Sequence, residues 1–428
     1  MSSAVISIII LAVCIVLFIT RIIPNAATAC LGCLLFVLTG VCDLSVAFSG
    51  FSNSIVLLMF GMMVVGIAMQ DTGIARFIGQ KVTSLSRHNE RLFILIAGIT
   101  SALLSTFLSN TAVIAIFLPI IESVCRADKS MNRMTLTLPV TMGAMFGGVC
   151  TLVGSTPQLT ANGILSEMCG MELGMFDYTL PGAIIILGYL LYVEFIGYKF
   201  GKKIWGDRQE QKESTPSEQG GAQGTEQTVI VDKRKAIIML VIFAFTIVSF
   251  IGAWIPTATT AIIAALLCII TGCTTQKNVI KKMDWSVVFV LAGCLGIAGG
   301  ITKGGAGDLM GRAISSVLGE GIPVILVFAI FVLFTMVISN FITNSTAVVI
   351  MLPIALSLAT TMGYSPVPFT LGIVFAANLT FSTPLANAQT AMTLVAGYKF
   401  SDYIKYTWPL DLMVLAEIII FIPLIYPF

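Results

Sequence analysis

Residues 105–120 read STFLSNTAVIAIFLPI, and residues 339–354 read SNFITNSTAVVIMLPI. Aligned without gaps, the two stretches share a serine at the start, an asparagine at the sixth position and Leu-Pro-Ile at the end. A hydroxyl–asparagine–hydroxyl triplet lies at the centre of each stretch, in otherwise apolar surroundings. We predict that the triplets are the tips of two re-entrant hairpins that build one binding site. They are Ser109-Asn110-Thr111 and Thr343-Asn344-Ser345.

The composition of the chain is that of a membrane protein. Of its 428 residues, 57% are hydrophobic and 10% are charged, whereas a soluble domain carries about 25% charged residues. We therefore predict an all-α polytopic protein surrounded by lipid. The net charge of +2 comes without a basic patch, so no nucleic-acid partner is expected. The predicted continuous spans lie near 4–22, 27–47, 53–70, 180–200, 236–253, 256–272, 285–302 and 408–427.

The chain divides into two halves with the same order of segments. Residues 201–235 are polar and rich in Gly, Glu and Gln, which predicts a linker. Residues 1–200 form the first predicted repeat, and residues 236–428 form the second. Each half has a hairpin followed by a segment that is broken at Ser-Thr-Pro. These lie at 92–120 and 136–165 in the first half, and at 321–354 and 366–396 in the second.

The length of the first hairpin segment argues against one continuous span. A helix over 92–120 would be about 43 Å long at 1.5 Å per residue, against a bilayer core of about 30 Å. Two half-helices of about 14 residues would reach the midplane and turn back. An overlong tilted helix with a few tolerated polar residues is the alternative.

The distribution of basic residues favours the hairpins. If each hairpin returns to the side that it entered, each half crosses the membrane five times and the two halves have opposite topology. In that arrangement 21 of the 23 Lys and Arg residues fall in loops on one side, and the positive-inside rule makes that side cytoplasmic. We predict two inverted repeats of five spans, with both termini outside and the linker in the cytoplasm.

Paired broken helices in inverted repeats are typical of secondary transporters that bind substrate at the midplane. A broken helix frees backbone N–H and C=O groups, which must bind something or face a water-filled cavity. Oxygens at the tips suit a hard cation such as Na⁺, and N–H groups at half-helix N-termini suit an anion. Neither the hairpins nor the broken segments contain an ionisable residue. Backbone dipoles, neutral side chains and co-bound cations would therefore hold the anion.

Other functional classes are open at this point. Glu194 and Glu417 lie deep in the last span of each half, where a carboxylate either packs helices or carries a proton. A cation/proton antiporter would use one of them. A passive channel would conduct without saturation, which midplane hairpins disfavour. No catalytic residue is identified, because no nucleophile–base pair or metal-ligand set appears, and we expect neither an enzyme nor an organic cofactor.

The tips and turns resemble those of the divalent anion–sodium symporters (DASS), a family of the ion transporter superfamily that carries dicarboxylates, citrate or sulfate. The resemblance rests on the triplets at 109–111 and 343–345 and on the Ser-Thr-Pro turns, and it extends over nearly the whole chain. It implies a homodimer and an elevator mechanism. In that mechanism the stretches 72–90 and 303–319 would be arms that link a moving domain to a static one.

The resemblance also implies a set of ligands. One sodium site would be formed by Ser105, Ser109, Asn110 and Gly154, and a second by Ser339, Thr343, Asn344 and the turn at 380–382. The substrate would contact Asn110, Thr111, Thr156, Asn344, Ser345 and Thr383.

The sequence departs from the family pattern after each Ser-Thr-Pro turn. Gln158-Leu159 and Leu385-Ala386 stand where the pattern has Pro and Asn, and these positions border the substrate. We expect a secondary active transporter of small divalent anions, with sodium-coupled dicarboxylate uptake as the leading interpretation. A sodium-independent exchanger, or a transporter of another oxyanion such as sulfate or arsenite, is the alternative. The expected location is a bacterial inner membrane.

Overall fold

The computed structural model describes residues 2–74, 89–128, 130–206, 233–318, 322–384 and 387–428. Across these residues the chain is helical and has no strand. Within the described residues there is one π-helical stretch, Val193–Gly197, and it lies inside the helix Thr179–Trp205. The helices of the first half are α1 (Ser3–Thr20), α2 (Asn25–Leu38), α3 (Leu44–Ala47), α4 (Ser54–Asp71), α5 (Glu90–Ser105), α6 (Asn110–Ala127), α7 (Arg133–Gly148), α8 (Thr156–Cys169) and α9 (Thr179–Trp205).

The second half has its helices in the same order, but the helix after its broken segment, Ala388–Met392, has five residues whereas α8 has 14. A 3₁₀ turn at Thr393–Ala396 directly follows the short helix Ala388–Met392. The helices are α10 (Lys233–Gly252), α11 (Thr257–Ile270), α12 (Gln276–Lys282), α13 (Trp285–Gly304), α14 (Ala306–Leu318), α15 (Val324–Ser339), α16 (Asn344–Thr361), α17 (Pro366–Asn378), α18 (Ala388–Met392) and α19 (Phe400–Ile425).

Eight helices in the described part of the chain are long and apolar enough to cross a membrane. Helices α2, α11, α15 and α17 are apolar but shorter. This pattern confirms a polytopic, all-helical membrane protein. The eight are α1, α4, α6, α9, α10, α13, α16 and α19.

Helices from the two halves pack crosswise. Helix α4 of the first half lies against α11 of the second, and α13 of the second half lies against α2 of the first. Glycines permit both approaches: a Cβ on Gly61 would lie 2.6 Å from the Ala261 carbonyl oxygen, and one on Gly293 would lie 2.6 Å from the Ala29 Cβ. The exchange of partners ties the two halves into one body.

The hairpin arms are longer than the 14 residues that the sequence predicted. Helices α5 and α15 have 16 residues each, and α6 and α16 have 18. The reason is that Pro119 and Pro353 lie inside α6 and α16, although the prediction ended both hairpins just after them. Helices α6 and α16 nonetheless begin at the asparagine of each predicted triplet, and α5 and α15 end four residues before the triplets.

Other boundaries also differ from the predicted ones. Helix α9 continues to Trp205, which is buried, so the helix extends into the predicted linker. Helix α19 begins eight residues before the predicted span at 408–427. The predicted second arm at 303–319 corresponds to α14. Residues 75–88 of the predicted first arm and residues 207–232 of the linker lie outside the described residues.

Candidate functional site

The first tip comprises the four-residue turn 106–109 between α5 and α6 and the rest of the predicted triplet, Asn110 and Thr111. The Ser109 Oγ accepts the backbone N–H of Ala112 at 3.4 Å, and this contact caps the first turn of α6. Asn110 is the first residue of that helix, and its Oδ1 accepts the Ser105 hydroxyl at 2.6 Å. The predicted ligands Ser105 and Asn110 therefore meet across the turn.

The second tip repeats this arrangement between α15 and α16. It comprises the turn 340–343 and the rest of the predicted triplet, Asn344 and Ser345. The Thr343 Oγ1 accepts the backbone N–H of Thr346 at 3.4 Å. The Ser339 hydroxyl lies 3.1 Å from Asn344 Oδ1 and 2.7 Å from the Ala377 carbonyl oxygen. The two tips thus place the same three side-chain types in the same relative positions.

The first break separates α7 from α8 and depends on two glycines. A Cβ on Gly148 would lie 2.1 Å from Asn110 Oδ1, and one on Gly154 would lie 2.3 Å from the Gly148 carbonyl oxygen. Only glycine permits both approaches. The predicted sodium ligand Gly154 is thereby brought against the residue that touches the first tip.

The second break, between α17 and α18, is built differently. Phe381 stands at the position of Gly154, is fully buried and stacks on Phe146 with ring centroids 5.2 Å apart. The Thr383 hydroxyl donates to the backbone carbonyl of Asn340 in the second tip. The predicted positions Leu385 and Ala386 lie outside the described residues.

The two tips and the first break surround a cavity of about 630 Å³. The predicted residues Ser105, Ser339 and Thr383 do not line it. The first two are fully buried behind the tips, and the third faces the Asn340 carbonyl. The predicted residues that do line the cavity are Ser109, Asn110, Thr111, Gly154, Thr156, Thr343, Asn344 and Ser345.

Three helices of 14 or more residues begin at the cavity wall. Asn110, Thr156 and Asn344 are the first residues of α6, α8 and α16, and all three line the cavity. The first N–H groups of a helix have no partner within it, and each helix N-terminus carries roughly half a positive charge. The convergence of three such ends suits an anion.

Formal charges lie at one end of the cavity. Of the described residues that line it, Lys282 and Asp284 are the only charged ones. The Lys282 ammonium forms an ion pair with Asp71, whose Oδ2 also accepts the Thr274 hydroxyl at 2.7 Å. Asp71 neutralises Lys282, and Asp284 is acidic. The positive field that would meet an anion therefore comes from the helix ends.

Part of the cavity wall is apolar. It includes Met59, Met62 and Met63 of α4 and Val287 and Val290 of α13. Such side chains can contact a carbon chain but cannot bind a charge. The cavity therefore offers both polar groups and apolar contact, which fits a small organic anion.

The sequence reasoning did not name every polar residue of this region. Asn378, Asn387 and Gln389 line the cavity, and Asp411 lies beside the second break. Asp411 of α19 accepts the hydroxyls of Ser382 and Thr407, the latter at 3.1 Å. Its Oδ1 is buried without a partner. Asp411 stands beside the second break and just inside the predicted span at 408–427, so an acidic residue within that span was the signal available.

The two acids considered for proton coupling have other surroundings. Glu194 forms an ion pair with Arg91 at 2.5 Å, and the same guanidinium donates to the Glu194 carbonyl oxygen at 2.7 Å. Glu417 lies against Gly188, where an added Cβ would be 1.9 Å from its Oε1. Neither residue lines the cavity. The pairing of Glu194 favours a helix-packing role for that residue.

The sequence profile of the citrate transporter family matches residues 15–343 and 323–428. The chain belongs to the citrate transporter family. Its membership confirms the predicted relationship to the divalent anion–sodium symporters. This citrate transporter family member is an integral membrane protein and a secondary transporter of small anions, not an enzyme.

Characterised and uncharacterised transporters are similar to this family member. The sodium-dependent dicarboxylate transporter SdcS of Staphylococcus saprophyticus is 24% identical over 411 residues, which cover 89% of this chain and 78% of SdcS. The uncharacterized transporter YfbS of Escherichia coli is 34% identical over 175 residues, which cover 41% of this chain and 28% of YfbS.

Two solved structures share the fold. The YdaH transporter of Alcanivorax borkumensis superposes with a TM-score of 0.63 at 12% identity, covering 89% of this chain and 87% of YdaH. The MtrF efflux pump of Neisseria gonorrhoeae superposes with a TM-score of 0.62, also at 12% identity, covering 99% of this chain and 94% of MtrF. At this identity the likeness concerns the fold alone.

Proposed function

We propose that the protein is a secondary active transporter that takes up small divalent anions, dicarboxylates above all, together with Na⁺. The observation that carries this proposal is the convergence of three helix N-termini on one cavity that has neutral oxygens at its tips. The name of the relative SdcS, a sodium-dependent dicarboxylate transporter, supports the substrate and the coupling ion.

The two carboxylates of the substrate would bind at the two tips. Asn110, Thr111 and Thr156 would hold one of them through side chains and first-turn N–H groups, and Asn344 and Ser345 would hold the other. The carbon chain between them would contact the methionine wall. Thr383 would act indirectly, because its hydroxyl supports the second tip through Asn340.

Two sodium ions would balance the charge of the dianion. One would bind the oxygens of Ser105, Ser109, Asn110 and the Gly154 carbonyl, and the other those of Ser339, Thr343 and Asn344. Support comes from the paired Ser–Asn contacts of 2.6 and 3.1 Å, which place hydroxyl and amide oxygens side by side at each tip. Na⁺ is cargo in this scheme, so uptake depends on its gradient.

The proposed architecture is an inverted repeat of five spans in each half that works as an elevator in a homodimer. The same order of helices in both halves and the crosswise packing of α4 with α11 and of α13 with α2 support the repeat. In this arrangement α14 would serve as one arm. Both termini would lie outside a bacterial inner membrane, with the polar linker in the cytoplasm.

The test is uptake of labelled succinate into proteoliposomes, with and without an inward Na⁺ gradient. We expect uptake that requires Na⁺ and is lost in both Asn110→Ala and Asn344→Ala. Asn89→Ala is the matched control, because Asn89 only caps α5, and it should transport normally.

Other results would change the assignment. Uptake that needs internal diacid and ignores Na⁺ would make the protein an exchanger on the same site. Absence of succinate uptake would overturn the dicarboxylate assignment and direct the assay to sulfate and other oxyanions. Transport driven by a pH gradient, insensitive to Asn110→Ala and lost in Glu417→Gln, would identify a cation/proton antiporter instead.

A further inference from the structure

Gln158 closes the first break from within. It lies in the first turn of α8 and is fully buried. Its Nε2 donates to the Gly148 carbonyl oxygen at 2.6 Å and lies 3.4 Å from that of Thr151. A break in a membrane helix leaves such carbonyls without helical partners, so the Gln158 side chain replaces hydrogen bonds that the break removes.

The other end of the same amide reaches into the second half. Gln158 Oε1 accepts the Asn378 Nδ2 at 3.2 Å and is in hydrogen-bond contact with the Ser155 hydroxyl. The Ser155 Oγ also lies 2.9 Å from Asn378 Oδ1. These three side chains form a closed ring, called here the amide ring. It joins the first break to the last residue of α17.

The amide ring lies between the two tips. On one side, Gly148 touches Asn110 so closely that an added Cβ would be 2.1 Å from its Oδ1. On the other side, the carbonyl of Ala377, next to Asn378, accepts the Ser339 hydroxyl at 2.7 Å. A continuous path therefore runs from the first tip to the second. It consists of the close approach of Gly148 to Asn110, the hydrogen bonds of the amide ring, and the peptide bond that joins Asn378 to Ala377.

The amide ring has two hydrogen-bond arrangements. A serine hydroxyl carries one proton, and Ser155 has an acceptor oxygen on each side of it. Donation to Gln158 keeps the bond within the first half, whereas donation to Asn378 joins the halves. Buried hydrogen bonds polarise one another, so a change at one end of the ring alters the strength of the others.

We propose that Gln158 is a positioning residue that couples the two tips, so that binding at one tip strengthens binding at the other. A cation that binds Gly154 and Asn110 fixes the first break, and with it the orientation of Gln158. The ring then holds Asn378 and the adjoining Ala377 carbonyl against Ser339. The inference rests on the proposed function, which places a cation site at each tip.

The first experiment tests the link without any transport assay. Ser105→Ala and Ser339→Ala are combined in a double-mutant cycle, with thermal unfolding of the full chain as the readout. Distant mutations without a shared partner normally add. We expect their effects to be non-additive in the wild-type background and additive in Gln158→Leu. Ser155→Ala opens the ring by removing one hydroxyl, and it answers the same question if Gln158→Leu fails to fold.

The second experiment measures the sodium dependence of succinate uptake. We expect a Hill coefficient that approaches two in the wild type and falls to one in Gln158→Leu and Ser155→Ala. The half-saturating Na⁺ concentration should rise about tenfold, within the usual range of coupling between sites. The maximal rate at saturating Na⁺ should change less than this concentration does.

Asn162→Ala is the matched control. Asn162 is a buried amide on the same helix, and it bonds only to Leu173 through that residue's N–H at 2.6 Å and carbonyl oxygen at 3.2 Å. We expect it to lower the unfolding temperature and to leave the Hill coefficient unchanged. An equal loss of cooperativity in this control would overturn the proposal, because general destabilisation would explain both results.

The two experiments distinguish failure of the proposed sodium coupling from failure of the amide ring. A wild-type protein whose uptake ignores Na⁺ would overturn the sodium coupling, while the unfolding cycle would still decide whether the ring links the tips. Additive effects of Ser105→Ala and Ser339→Ala in the wild-type background would overturn the ring and leave the proposed function intact. Non-additivity that persists in Gln158→Leu would assign the coupling to another route.

Discussion

The two breaks contain the same Ser-Thr-Pro sequence and are supported by different chemistry. In the first break, Ser155 faces the neutral amides of Gln158 and Asn378. In the second, Ser382 faces the carboxylate of Asp411. The interrupted backbone is thus repeated in both halves, whereas the side chains that hold the interruption open are not.

A second contrast concerns the space around each break and tip. Gly154 lets the first break press against Gly148, whereas Phe381 fills the matching space in the second. At the tips, Phe107 packs edge to face on Phe243 of α10 with centroids 5.5 Å apart. Its counterpart Phe341 is 65% exposed. At these matched positions the two halves therefore differ in packing, and substitutions should show the difference.

The largest effect is expected from Gly154→Ala. The new Cβ would lie 2.3 Å from a backbone oxygen, so the first break must shift and carry its cavity-lining groups with it. A displacement of about 1 Å at a binding site can cost about 100-fold in rate, and we expect a loss of that order in succinate uptake. Gly174→Ala is the control, since its nearest neighbour would be 3.4 Å away. Normal uptake by Gly154→Ala would contradict the tight first break.

Asp411→Ala tests the acidic support of the second break. The change leaves the Ser382 and Thr407 hydroxyls without their acceptor. Hydrogen bonds to charged groups contribute about 1.5–3 kcal/mol, so uptake should fall about 10- to 100-fold, measured as initial rate. Asp411→Asn keeps one acceptor oxygen and should lose less.

Glu417→Gln is the matched control for Asp411, because it changes an acid of the same helix that touches neither break. Its uptake should equal that of the wild type. The reverse result would be normal uptake by Asp411→Ala and no uptake by Glu417→Gln. It would show that Asp411 does not support the second break, and it would favour the antiporter.

The smallest effect is expected on the unfolding temperature, when Phe107 at the first tip and Phe341 at the second are replaced in turn. An aromatic pair contributes about 0.5–1.5 kcal/mol beyond its area, so Phe107→Ala should lower the unfolding temperature by a few degrees. Phe341→Ala should change it less, because most of that ring has no protein neighbour. A cycle with Phe243→Ala isolates the pair. Equal shifts for Phe107→Ala and Phe341→Ala would show that the tips are equally enclosed.

The tips could be predicted from sequence because their signals are local. A hydroxyl residue before an apolar run caps a helix, and in Ser109 and Thr343 it does so at both tips. The Ser-Thr-Pro turns likewise located both breaks. The hairpin ends are less accurate, because α6 and α16 continue beyond the predicted ends at residues 120 and 354.

The support of the breaks could not be predicted in this way. Gln158 and Asn378 are 220 positions apart, and no local pattern relates them. In the sequence, Gln158 is only a departure from an expected proline, and Asp411 is one acid near the start of the predicted span at 408–427. Their roles depend on which helices pack together, and crosswise packing of the halves determines that only once the chain has folded.

The three helix ends at the cavity have a consequence for the conditions under which the site operates. Backbone amides neither gain nor lose protons at physiological pH, in contrast to a lysine or histidine. The positive field of these helix ends is therefore the same in acidic and alkaline surroundings. Acidification instead acts on carboxylates, among them those of the substrate, which becomes a monoanion when one of its carboxylates takes up a proton.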